Sequence, residues 1–89
     1  MTAHSDTDAI WAEIRNCINK VVPTMVDVDI RPDTPFDDLG ISSIEMITVV
    51  FEVEELYDVV IVDAGLDVFE TGTEFVALVR RLLDKKVAA

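Results

Sequence analysis

Two adjacent serines, Ser42 and Ser43, are the residues of this chain best placed to do chemistry. They stand between a glycine turn and a long apolar run, in the stretch DDLGISSIEMITVVFE at residues 37–52. A serine hydroxyl can cap the start of a helix, or it can carry a covalent group such as a phosphate ester. The surrounding sequence indicates which serine has which role.

Ser42 is predicted to be structural, because Glu45 follows it three residues later. In this capping box the serine oxygen accepts from the third helical amide, and the glutamate accepts from the amide of the serine. The same spacing recurs at Thr71 and Glu74. We therefore expect one helix to begin after Ser42 and another to begin after Thr71.

Ser43 falls on the first helical position and is not needed for that cap. Its hydroxyl is expected to point to solvent beside free backbone amides, at the positive end of the helix dipole. An anionic phosphate ester is favourably placed there. A serine near a helix start is common, however, so the position alone also fits an unmodified exposed serine.

The helix that follows is predicted to be apolar on two faces. One stripe is assigned to the core and contains Met46, Val49, Val50, Val53 and Leu56. A second stripe begins apolar and ends in two acids, and contains Ile44, Ile47, Thr48, Phe51, Glu54 and Glu55. Such a helix is either buried on both faces or offers one face to a partner. The spacing alone leaves both options open.

Other reactive residues do not form a catalytic or metal site. His4 is the only histidine, so neither a Ser-His-Asp arrangement nor a histidine-rich metal site can be built. Cys17 is the only cysteine and is expected to act as a small buried hydrophobe. The aspartate-rich stretch DVDIRPDTPFDD lacks the glycine and the final glutamate of a calcium loop. The sequence predicts a protein that is not an enzyme and binds no metal.

Helices must position these residues. Residues 7–22 place apolar side chains at helical spacing, and Pro23 is expected to end that helix. Residues 23–41 predict a long connection, in which the alternating Val26, Val28 and Ile30 hint at extended chain and Phe36 and Leu39 anchor the connection to the core. Three further helical segments are predicted, at residues 43–56, 66–69 and 72–85.

This order of elements predicts an all-α fold, a small four-helix bundle with three longer helices, one short helix and a long first loop. With 89 residues, 51% of them hydrophobic, the chain is expected to form one domain over residues 1–89. Flexible tails are expected at residues 1–6 and 86–89.

Charge limits the possible partners. Eighteen acidic residues face seven basic ones, which gives a net charge of −11 at pH 7. Such a surface repels nucleic acid and anionic lipid, and it attracts basic patches on proteins. No apolar run approaches the length of a membrane span. We expect a monomeric cytoplasmic protein that binds neither nucleic acid nor membrane.

The segment FDDLGISSIEMITVVFEVEELYDVVI resembles acyl carrier proteins and the related peptidyl and aminoacyl carrier domains. Their pattern is Leu-Gly-x-Asp-Ser-Leu, followed by an acidic and apolar helix that closes in Glu-Glu-x-aromatic. The matching residues are Leu39, Gly40, Ser43, Glu54, Glu55 and Tyr57. The order of helices, the length and the acidity of the chain also fit this family.

The resemblance implies that Ser43 carries a 4′-phosphopantetheine arm, attached from coenzyme A by a phosphopantetheinyl transferase. The thiol of the arm, not Cys17, would hold the cargo as a thioester and present it to acyl-transferring and acyl-modifying enzymes with basic surface patches. The residues implied to face these partners are Asp37, Asp38, Ile44, Ile47, Thr48, Phe51, Glu54 and Glu55.

Two departures from the family pattern bear on the pathway. Ser42 replaces the usual aspartate, and Asp37 and Asp38 are expected to supply the lost charge nearby. Thr48 stands where many fatty-acid carriers have glutamate, so a specialised carrier for a polyketide, a modified fatty acid or an aminoacyl group fits as well as one for fatty-acid synthesis. The alternative hypothesis is an acidic helical interaction module without a prosthetic group, anchored to its partner through Ile44, Ile47 and Phe51.

Overall fold

The computed structural model of the chain describes residues 7–61 and 70–88. Within these ranges the chain forms three α-helices and no strand, which confirms the all-α prediction. The helices are α1 (Thr7–Val21), α2 (Ser43–Tyr57) and α3 (Gly72–Ala88). The short helix predicted at residues 66–69 and the tail predicted at 1–6 lie outside the described residues, so the four-helix count stays a prediction.

Helix α1 lies between the other two helices and contacts both of them. Its inner stripe is the predicted one, because Ile10, Ile14 and Ile18 are fully buried. The helix ends at Val21, and a 3-10 turn begins at Pro23, whose ring fixes a helical φ but provides no amide for the previous turn. Among the described helices, none combines the length and apolarity that crossing a bilayer requires.

Helix α2 buries Val49, Val50 and Val53 completely against this core. The assignment of Leu56 to the same core stripe is wrong, because its side chain is 49% exposed. At 3.6 residues per turn Leu56 lies roughly 60° from the centre of the buried arc, on the side of Glu52. It borders a surface hollow between α1 and α2 instead of the interior.

Helix α3 packs through Phe75, Val79 and Leu83, which lie at helical spacing and are buried. The ring of Phe75 meets that of Phe36 edge to face, with centroids 6.3 Å apart. The helix continues to Ala88, three residues beyond the end predicted at residue 85. The ammonium of Lys86 donates to the carbonyl oxygens of Tyr57 and Asp58, and this contact attaches the last turns of α3 to the end of α2.

The connection between α1 and α2 is built from turns. The extended chain expected around Val26 and Val28 is wrong, because local hydrogen bonds to the carbonyls of Pro23 and Met25 form successive turns there. Both valines are exposed. The prediction that Phe36 and Leu39 anchor this connection to the core is confirmed. Phe36 is buried, and Leu39 is half-buried and packs against the core. Their 3-10 turn, Phe36–Leu39, leads directly to the start of α2.

Candidate functional site

The start of α2 is fixed by the predicted capping box. Ser42 has extended backbone angles, and its hydroxyl oxygen accepts from the amide of Glu45 at 3.1 Å. The Glu45 carboxylate accepts from the amide of Ser42 at 2.9 Å. Gly40 enters this turn with a φ of 75°, a left-handed conformation that glycine adopts without steric cost. The buried Ile41 then anchors the turn to the core.

Ser43 occupies the first position of α2, and its side chain is exposed. Within the described residues its hydroxyl makes no hydrogen bond, whereas the neighbouring hydroxyl of Ser42 is occupied by the cap. The first amides of a helix lack partners inside the helix and carry the positive end of its dipole. The position is therefore accessible to another molecule and electrostatically suited to an attached anion.

Asp37 and Asp38 lie in the 3-10 turn just before this site, and both are exposed. They place two exposed carboxylates six and five residues before Ser43 in the chain, and they are predicted to replace the charge missing at Ser42. A protein that reaches Ser43 from this side therefore meets an acidic surface. A basic patch is the complementary chemistry.

The outer face of α2 is apolar in its first half. Ile44 is 77% exposed and Phe51 is 51% exposed, while Ile47 is half-buried between them. The Thr48 hydroxyl donates to the carbonyl of Ile44 at 3.0 Å, so this side chain satisfies its polar group locally and adds no charge to the face. Large apolar groups left in solvent on a helix that already buries another face are typical of a binding surface.

The two acids at the end of the same stripe lie in different environments. Glu55 is exposed, as a residue that meets partners would be. Glu54 is half-buried, and its carboxylate accepts from the amide of Ile61, which fixes the chain after α2. The structure thus gives Glu54 an internal contact that its position on the stripe did not reveal.

Val60 is a further exposed apolar residue, 58% exposed, that the sequence analysis did not select. It lies between Val59, which packs against the core, and the fully buried Ile61. Residues 59–62 read VVIV, and this continuous apolar composition does not show the change of side. Alternation along extended chain is the pattern that could have shown it.

Cys17 lies away from solvent on the inner side of α1. Burial raises the pKa of its thiol above the ordinary value of 9.0, and the negative charges of Glu52 and Glu13 raise it further. The residue therefore stays protonated and unreactive at neutral pH. Glu52 is also paired with Lys20 at 2.8 Å, and this hydrogen bond raises the pKa of the lysine.

The second predicted capping box is also present. The Thr71 hydroxyl oxygen accepts from the amide of Glu74 at 3.3 Å, and the Glu74 carboxylate accepts from the amide of Thr71 at 3.2 Å. The first helical residue after this cap is Gly72, which is buried beneath Trp11. The first helical position of α3 therefore offers neither a hydroxyl nor space for one.

Comparison with known families gives one match that covers well over half of the chain. The family described as a phosphopantetheine attachment site matches residues 12–82, from the first turns of α1 to the later turns of α3. No curated protein matches the chain. Within residues 7–61 and 70–88, no group of three or more histidine, cysteine or acidic side chains is arranged to hold a metal ion.

Proposed function

The chain belongs to the family of phosphopantetheine attachment sites, and from this premise we propose that it is a carrier protein whose 4′-phosphopantetheine arm is attached to Ser43. One observation supports this residue above all others. Ser43 combines an exposed, unbonded hydroxyl with the first position of a helix, while the adjacent Ser42 is held in the cap.

The residues around Ser43 fit the group. The Ser42–Glu45 box keeps the helix start ordered, so the backbone amides beside Ser43 stay available to a phosphodiester. When attached, the group supplies a flexible arm with a terminal thiol that holds cargo as a thioester. The protein itself has no catalytic role in this proposal, and its buried Cys17 does not compete with the thiol of the arm.

The proposed partners are a phosphopantetheinyl transferase and enzymes that transfer or modify the cargo. The surface offered to them combines the exposed Ile44 and Phe51, the half-buried Ile47, and the carboxylates of Asp37, Asp38 and Glu55. Basic patches on the partners would be drawn by these acids, and the apolar side chains would then make the contact. Such binding is salt-sensitive, because charge steers the encounter.

The cargo is proposed to be an acyl group of fatty-acid, polyketide or other specialised biosynthesis. Thr48 supports a specialised pathway, because its hydroxyl is satisfied by the carbonyl of Ile44 and leaves the face uncharged where many fatty-acid carriers have glutamate. A single domain over residues 1–89, acting as a monomer in the cytoplasm, completes the proposal.

The test is the intact mass of the protein after incubation with coenzyme A and a broad-specificity phosphopantetheinyl transferase. We expect one added phosphopantetheine on the natural chain and none on Ser43→Ala. Ser42→Ala is the matched control, because it removes the neighbouring hydroxyl and should still be modified. Modification of Ser43→Ala, or an unchanged mass with several competent transferases, would contradict the proposal and favour the interaction module without a prosthetic group.

A further inference from the structure

A groove between α1 and α3 forms a second surface, separate from the start of α2. Its volume is about 710 Å³, and its apolar lining includes Trp11, Val76 and Ala77. Three cations also line it, Arg80, Arg81 and Lys85. An apolar groove with positive side chains along it is suited to a ligand that is apolar on one side and anionic on the other.

The walls of this groove are held in place by contacts between distant parts of the chain. Trp11 packs directly over the backbone of Gly72, which brings α1 onto the start of α3. The amide and the hydroxyl of Thr73 both donate to the carbonyl of Pro32, at 2.9 and 3.2 Å. The groove is therefore present before a ligand binds, which lowers the ordering cost of binding.

The cations of the groove are available to a ligand. Four of the seven basic residues of this acidic chain lie between positions 80 and 86. Within the part of the chain that the structure describes, Arg80, Arg81 and Lys85 make no ion pair, whereas Lys86 is paired with Asp58. A protein with a net charge of −11 thus presents a local cluster of positive charge that no ion pair among the described residues neutralises.

We propose that this groove docks an acidic amphipathic segment of a partner protein, with an apolar side chain on Trp11 and carboxylates on the three cations. Residues 80 to 85 extend roughly 7.5 Å along the helix axis, so several carboxylates match them better than the single carboxylate of a small amphiphile. Asp8 and Asp84 also line the groove and restrict where those carboxylates can sit.

The overall negative charge does not prevent such docking. The screening length is about 8 Å at physiological ionic strength, so the ligand responds mainly to the charges that line the groove. These are three cations and the two acids Asp8 and Asp84, which together leave the groove positive. Carriers of this family pass between enzymes, and a docking site away from Ser43 leaves the arm free while the carrier is held. The lining of the groove does not include Ser43, so the inference stands whether or not Ser43 is modified.

Trp11 provides the measurement, because it is the only tryptophan of the chain and lines the groove. The probe is a short synthetic peptide without tryptophan, with leucines at helical spacing and glutamates between them, titrated at physiological salt. We expect a saturable change in Trp11 fluorescence. A control peptide with glutamine in place of each glutamate is expected to bind about tenfold more weakly. This factor corresponds to a loss of about 1.4 kcal/mol in binding free energy.

Two substitutions in the groove, Arg81→Gln and Ala77→Leu, test whether the peptide binds there. Arg81→Gln removes one cation of the groove and is expected to weaken binding several-fold, while Lys20→Gln removes the same charge elsewhere and is expected to bind as the natural chain does. Ala77→Leu fills an exposed part of the groove without changing charge, and it is also expected to weaken binding. Ser43→Ala is expected to bind normally, which separates this result from the carrier proposal.

Three results would overturn the proposal. They are equal binding of the glutamate and glutamine peptides, unchanged binding by both Arg81→Gln and Ala77→Leu, and a response of Trp11 to dodecanoate without a response to the peptide. The last would identify the groove as a site for small amphiphiles instead of a protein segment.

Discussion

Helices α2 and α3 begin with the same capping box but expose different surfaces after it. In the Ser42–Glu45 box, the first helical residue after the cap is the exposed Ser43. In the Thr71–Glu74 box, the first helical residue after the cap is Gly72, which is buried beneath Trp11. The cap fixes where a helix starts, and packing against other helices decides whether that start is open to chemistry.

The largest expected effect comes from removing the hydroxyl of Ser43, at the exposed start of α2. Ser43→Ala is predicted to abolish phosphopantetheine attachment while changing the free energy of unfolding by less than about 0.5 kcal/mol, because the side chain is exposed and lies outside the cap. Intact mass measures the first quantity, and urea denaturation followed by circular dichroism measures the second. A large loss of stability would show that Ser43 is part of the packing.

Alanine at the first residue of α3 is predicted to have the opposite effects: a loss of stability and no loss of phosphopantetheine attachment. A Cβ at Gly72 would lie 2.6 Å from Cη2 of Trp11, so Gly72→Ala must displace the ring. We expect the free energy of unfolding to fall by about 1–3 kcal/mol, with a shift in tryptophan emission and normal attachment at Ser43. The cost is expected to shrink in a Trp11→Leu background, and an equal cost in both backgrounds would point away from this contact.

The two caps themselves are predicted to contribute similarly. Ser42→Ala and Thr71→Ala each remove one oxygen that accepts from an exposed helical amide, and each is expected to cost about 1 kcal/mol in urea denaturation. Ser42→Asp is the matched control, because aspartate caps about as well as serine and restores the residue usual in the family. A cost at one helix only would show that the two boxes are not equivalent.

The smallest expected effect concerns Cys17 in the unmodified native protein. Burial raises its thiol pKa above 9.0, so little thiolate is present at about pH 8, and reaction with an aromatic disulfide reagent is expected to be slow until the protein unfolds. Because the unfolded thiol ionises first, its contribution to stability is unchanged below about pH 9 and becomes unfavourable above it.

After phosphopantetheine attachment, one fast-reacting thiol is expected to appear, and it is expected to remain in Cys17→Ser. Rapid labelling of the unmodified native chain would contradict the assignment of Cys17 to the interior. Loss of the fast thiol in Cys17→Ser would contradict its assignment to the arm.

Local patterns predicted much of this molecule because the interactions behind them span three or four residues. Both capping boxes, the exposed position of Ser43 and the buried stripe of α1 depend on such short spacings. The patterns failed where a distant residue decides the outcome. Leu56 continues a stripe that the core does not cover, and Lys86 in the last turns of α3 donates to carbonyl oxygens at the end of α2.

The residues of the candidate site also fall into those that the sequence predicted and those that it did not. The spacing of α2 left open whether its second apolar stripe is buried, and the structure leaves Ile44 and Phe51 exposed. Spacing could not show that Glu54 binds the amide of Ile61, since nothing in the helical pattern reports where the chain goes after the helix ends. Val60 was missed because the residues on both sides of it are also apolar, so composition did not distinguish its exposed side.

The sequence by itself determined where the helices start, which faces are apolar and that the chain is strongly acidic, because these follow from neighbouring residues and composition. Only the tertiary structure decided that Gly72 lies under Trp11 and that three cations of α3 border a groove formed with α1. These features depend on distances between residues far apart in the chain, and such distances exist only once the helices have packed.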